Sequence, residues 1–220
     1  MEKIRTIHVK GMGTASMPPD YVTITLKLVA KHREYACVMQ IGSEQVELLR
    51  EAVVTAGFGA DELKTVKFSV DSEYESEEYE ENGRTRYQQV FIGYECHQTL
   101  RLSFDLDRER LTQAMTAIES CTAKPEASIA FTVKDIRLMR DCIMESAAED
   151  AHRKADILCK SSGVKLGNLL RIEYSWSKVE SDSTIDIPLW ISKNKKESPS
   201  YIQPDDVKGE DTVDFIWEIC

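Results

Sequence analysis

KGMGTASMPPDYVTITLKL (residues 10–28) sets two glycines, a Pro-Pro pair and an aspartate ahead of a run that alternates apolar and polar. Its reading separates two classes of fold. In a phosphate-cradling loop the glycines follow a strand and open a helix. Here they precede Pro18, Pro19 and Asp20, and then a strand in which Val22, Ile24, Leu26, Leu28 and Ala30 share one face with period two. A lone glycine–X–glycine spacing is weak, and this context removes the nucleotide reading. Residues 4–10 are expected as a first strand, with Gly11 and Gly13 supplying backbone freedom or close approach at its end. Pro18 and Pro19 cannot donate to a ladder and belong before the second strand. Asp20 is expected to cap the turn through its own backbone.

Outward from that stretch the period changes. Met39, Gly42, Val46, Leu49, Val53 and Ala56 recur at threes and fours, which predicts a long helix ending at Gly57. Gly42 is a bare spot on its face that would let a strand or helix approach closely. Residues 63–74 read as a strand running into DSEYESEEYEENGR (71–84), where Asn82-Gly83 signals a hairpin turn. The return arm alternates from about Arg86 to Phe104. At about 3.3 Å per residue it would span roughly 60 Å, which predicts a bend or bulge, with Gly93 as its site.

Asp107 is placed to cap a second helix carrying Leu111, Met115 and Ile118, and Pro125 closes its exit before a strand around Ile129, Phe131 and Val133. A third helix over about 139–162, ended by Gly163, repeats Ala147, Ala151 and Ala155 every four positions. Such a stripe of small side chains lets a helix lie close against what it covers. Leu170, Ile172, Tyr174 and Trp176, and then Val213, Phe215, Trp217 and Ile219, alternate as two last strands. Residues 178–210 between them hold three prolines and the apolar island PLWI at 188–191. Trp190 in that island either tucks back onto its own domain or anchors a partner.

From residue 20 to about 137 the order is strand, helix, strand, strand, helix, strand, the split βαβ pattern with both helices on one face of an antiparallel sheet. The expected fold is α+β, one domain over 1–220 made of two intertwined subdomains. One, about 20–137, is ferredoxin-like (βαββαβ) with long antiparallel strands. The other, about 1–19 plus 138–220, is a smaller α/β layer formed by both chain ends and the long third helix.

Taken in order, VKGMGTASMPPDYVTITLKL, LKTVKFSVDSEY, FIGYECHQTLRLSF, ESAAEDAHRKADILCKSSGVKLGNLLRI and the closing DTVDFIWEI after IQPDDV resemble the SIMPL domain family. That family, also catalogued as a domain of unknown function, includes bacterial periplasmic and surface-antigen proteins. The resemblance spans nearly the whole chain. It implies a non-enzymatic role, an association with oxidative-stress defence or signalling, and a tendency to form large oligomers.

The totals bear on the same question. A formal net charge of −10 over 220 residues argues against nucleic acid, and the one basic cluster, Lys193, Lys195 and Lys196, is short. No apolar run approaches the length a membrane span needs, and no apolar block follows the first charges, so a cytoplasmic location is expected. The cysteines (Cys37, Cys96, Cys121, Cys142, Cys159, Cys220) form no CxxC and read as free thiols, and the four histidines make no zinc spacing with them.

For chemistry the residues offer little. Cys96 and His97 are adjacent on a strand and face opposite ways, and His152 with Glu149 reads as a surface pair at i, i+3. Seven carboxylates crowd residues 71–81, but an extended arm splits them between two faces, which suits a solvated tip better than a metal site. The expectation is therefore a non-enzymatic protein without cofactor, catalytic residues or metal ligands. It would act through a protein partner or homo-oligomer, with Glu77, Glu78, Tyr79 and Trp190 as interaction residues. The competing reading is a small-molecule or metal-binding stress-response protein using the hairpin at 71–84 or a groove between the subdomains. Cys159, beside Lys160, and Cys220 are the candidate redox thiols.

Overall fold

The computed structural model describes residues 4–81, 84–174, 183–185 and 204–220. Along the chain run β1 (Thr6–Met17), β2 (Tyr21–His32), α1 (Tyr35–Thr55), β3 (Leu63–Glu81), β4 (Arg84–Asp105), α2 (Arg108–Ser120), β5 (Glu126–Thr132), α3 (Ile136–Ser161), β6 (Leu166–Glu173), β7 (Ser183–Ile185) and β8 (Val207–Ile219). They form two antiparallel sheets, so the fold is α+β as the alternation patterns predict. No described helix is long and apolar enough to cross a membrane. The described residues fall into two compact units, one of 21–130 and one joining both chain ends to 131–174.

In the unit of 21–130 the sheet order is β3-β4-β2-β5-β7, which contains the ferredoxin-like order, and the β2 and β4 ladder runs from Tyr21↔Asp105 to His32↔Tyr94. Val22, Ile24, Leu26 and Leu28 of β2 and Leu100 and Leu102 of β4 are buried on the face that also buries Val38, Leu49 and Val53 of α1. Each such side chain contributes about 1.5–3 kcal/mol on leaving water. Met39 is only partly buried, and Val38 takes its place on the inner face of α1. Gly42 is bare because β4 lies there: Gln98 Nε2 donates to its carbonyl at 2.8 Å, and a Cβ at 42 would stand 3.1 Å from the Cys96 sulfur. Asp107 caps α2 by accepting from the Arg110 amide at 2.9 Å.

In the other unit the sheet order is β1-β8-β6 and α3 covers one face. Its start is fixed by Asp135, whose Oδ1 accepts from the amides of Arg137 and Leu138. Here two expectations are corrected. β1 does not end at residue 10 but pairs with β8 without a break from Thr6↔Glu218 to Met17↔Val207, so both glycines lie inside it. The reason is α3: a Cβ on Gly11 would collide with the Ala147 carbonyl, and one on Gly13 with the Ile143 carbonyl. The alanine stripe and the glycines are two halves of one contact, closed by Val9, Val213, Phe215 and Trp217. Asp20, secondly, reaches across the chain and accepts from the Lys134 amide at 2.7 Å, while its own amide donates to Thr132.

β6 departs from simple alternation. Its register against β8 shifts twice, between Leu166 and Leu169 and between Leu169 and Arg171, and Leu169, Leu170 and Ile172 are all exposed. β8 begins at Val207, earlier than the alternation around Val213 indicates.

Candidate interaction surface

β2 stops at His32, opposite Tyr94, whereas β3 and β4 continue together from Tyr74↔Phe91 to Glu80↔Thr85. Beyond Tyr94 they are therefore a two-stranded arm, with no third strand beside it among the described residues. A hairpin without a hydrophobic face is marginal by itself in water, and this one leaves Tyr74, Tyr79, Tyr87 and Phe91 exposed. The predicted Asn82-Gly83 turn lies outside the described residues.

A bulge at the arm's base decides what each face carries. Glu73 pairs with Gly93 and Tyr74 with Phe91, so Ile92 is the extra residue, next to the glycine expected to mark the bend. A Cβ on Gly93 would sit 2.8 Å from the His32 carbonyl. By absorbing one residue the bulge turns Phe91 to the side of Tyr94, and an edge-to-face series runs Tyr35, Tyr94, Phe91, Tyr74, with centroids 5.4, 5.1 and 5.8 Å apart.

A second bulge, at Val66, shapes the sheet face away from the helices. Thr65 pairs with Leu100 and Lys67 with Thr99. Without the extra residue Lys67 would fall on the helix-covered side. With it, the open face carries two successive cross-strand rows, Lys64–Arg101–Thr25 and Lys67–Thr99–Lys27. The next rows are Ser69–His97–Val29 and Asp71–Glu95–Lys31, and then the same side of β3 presents Glu73, Glu75, Glu77 and Tyr79. Lys31 is held by Glu73 at 2.5 Å and Glu95 at 3.2 Å, and these hydrogen bonds, Glu73's first, raise its pKa. Among the described residues Lys27, Lys64, Lys67 and Arg101 have no ion-pair or hydrogen-bond partner, nor have Glu75 and Glu77.

The edges of the three-stranded sheet differ. Along β1 the outward Met12 amide donates to Asp150 at 2.9 Å, the Thr14 amide to Ser146 at 3.3 Å, and Lys154 donates to the Lys10 carbonyl at 3.2 Å. Those α3 side chains occupy the groups that another strand would need. The Lys154 ammonium and the Met12 amide hold the Asp150 carboxyl at about 2, well below its ordinary range.

Of the residues singled out from the sequence, Glu77 and Tyr79 lie on the open side of the arm, while Glu78 lies on the other and accepts from the Tyr87 hydroxyl at 3.4 Å. Trp190 lies outside the described residues. Cys220 is exposed and Cys159 is 2% exposed, so only the first meets the exposure a reactive thiol needs. Burial pushes the Cys96 thiol up. His152 faces Asp156 at 3.9 Å, not Glu149. Among the described residues no three His, Cys, Asp or Glu side chains are grouped to hold a metal ion. The basic rows on the open face are the feature that alternation alone does not disclose.

The family model for SIMPL, described as a protein of unknown function (DUF541), matches residues 7–217. The chain belongs to the SIMPL family. No curated protein matches the chain. The match embraces both sheets and the arm, so the arm of this SIMPL chain lies within the family's span and is not an appendage to it.

Proposed function

We propose that this SIMPL protein carries out no chemistry of its own and acts by protein association, with other copies of itself, in a setting of stress defence. The observation that supports the association is the β3–β4 arm. Among the described residues it extends past the last strand beside it, adds no buried side chain to the core, and exposes four aromatic rings, a surface whose cost is recovered when a second surface covers it. The same reading is supported by the contrast between the β1 edge, whose outward amides are taken up by α3 side chains, and β6, whose Leu169, Leu170 and Ile172 are exposed among the described residues.

The test is light scattering on reduced protein over a dilution series. A discrete multimer of the 25.0 kDa chain that persists on dilution supports the reading, and a monomer throughout sinks it.

A further inference from the structure

The open face of the β3-β4-β2 sheet is polarised along its strands. At one end stand Lys64, Lys67, Lys27 and Arg101, exposed and unpaired among the described residues. At the other stand Asp71, Glu75 and Glu77 on the same side of β3, with Lys31 already neutralised by Glu73 and Glu95. From Lys67 to Glu77 is ten residues of strand, or about 33 Å. Charges that far apart are screened from each other within one molecule, because the Debye length is about 8 Å at physiological salt. Neither end can therefore satisfy the other at home.

We infer that this face is a self-complementary docking surface, whose occupant is the same face of a second copy turned end for end. A two-fold axis lying in the plane of the interface and perpendicular to the strands sets the basic rows of each copy against the acidic arm of the other, making both contacts at once from one patch. Midway along the strip stands the Asp71–Glu95–Lys31 row, whose lysine is already paired with Glu73 and Glu95, and exposed Val29 and His97 lie one row nearer the basic end. Both bulges serve this arrangement: the one at Val66 brings Lys64 and Lys67 to the same side, and the one at Ile92 keeps the aromatic series on the opposite side. Electrostatic complementarity of this kind fixes register and partner more than it adds affinity.

The inference rests on the self-association proposed above and names its surface. The experiment uses the full chain and two charge reversals at exposed, unpaired positions, Lys27→Glu with Lys67→Glu, and Glu75→Lys with Glu77→Lys, each checked for an unchanged melting transition. Sedimentation is followed at low and high salt. The expected result is association that weakens as salt rises, weakens about tenfold or more in each reversed protein, and returns when the two reversed proteins are mixed. Association that ignores both salt and the reversals overturns the surface while leaving self-association intact. A wild-type monomer at every concentration overturns both.

Discussion

Gly11 of β1 lies directly beneath the carbonyl of Ala147 on α3, so close that a Cβ there would also stand 2.9 Å from the Ala151 methyl. Glycine in a strand ordinarily costs roughly 0.5–1 kcal/mol relative to alanine. Here the sign reverses, because the atom met is backbone and cannot rotate away. Gly11→Ala is expected to lower stability by about 1–3 kcal/mol. Urea unfolding checks it, and a midpoint at or above wild type would show that α3 does not lie so near.

Gly42 offers the opposite balance. A methyl there would stand 2.9 Å from the Gln98 amide nitrogen, the end of a side chain that can move. Gly42→Ala alone is expected to destabilise by breaking the Gln98 hydrogen bond to the helix carbonyl. In a Gln98→Ala background the loss should shrink, because only the 3.1 Å approach to the Cys96 sulfur then opposes the roughly 1 kcal/mol helix propensity of alanine over glycine. A double-mutant cycle with no coupling would refute the contact.

Asp150 sets a pH dependence. Its folded pKa of about 2 lies below the ordinary aspartate value of about 3.9. The stabilisation is thus complete above about pH 4 and lost as pH falls through 2. Thermal melts should show Asp150→Asn less stable than wild type near neutrality, with the gap closing between pH 4 and 2. A gap that stays constant into acid would mean that the ion pairs with Lys154 and Arg153 contribute nothing.

Much of the architecture was legible because it follows from period. The inner face of β2, the cap at Asp107 and the alanine stripe on α3 are all local patterns whose meaning does not depend on their partner. What escaped was set by contacts distant in sequence. β1 runs through Gly11 and Gly13 because of helix residues Ile143 and Ala147, far later in the chain, whose approach no local signal announces. The basic rows escaped for a related reason. Lys64 and Lys67 differ in parity, and only the unpaired Val66 brings them to one face. The acidic arm was visible as composition, but its counterpart was not.

Cysteine accessibility separates the thiols. Limited alkylation of native protein, read by mass spectrometry, should modify Cys220 well before Cys96 and Cys159, which are 1% and 2% exposed. Burial also holds Cys96 as the protonated thiol. Early labelling of Cys159 would show that the end of α3 opens, and would restore it as a redox candidate.

Shortening the arm divides the roles of stability and association. Tyr74 and Phe91 are directly opposed, so joining them through an Asn-Gly turn keeps the ladder below and removes everything beyond. Of the residues lost, those whose burial is described are exposed apart from half-buried Val90, so unfolding free energy should change by no more than about 0.5 kcal/mol. The Tyr35–Tyr94–Phe91 series remains to hold the base. Light scattering on this variant is expected to show monomer where wild type is multimeric, since Glu75 and Glu77 are gone while the basic rows persist. Retained assembly would move the contact to the exposed leucines of β6, and a large loss of stability would mean that the arm is structural.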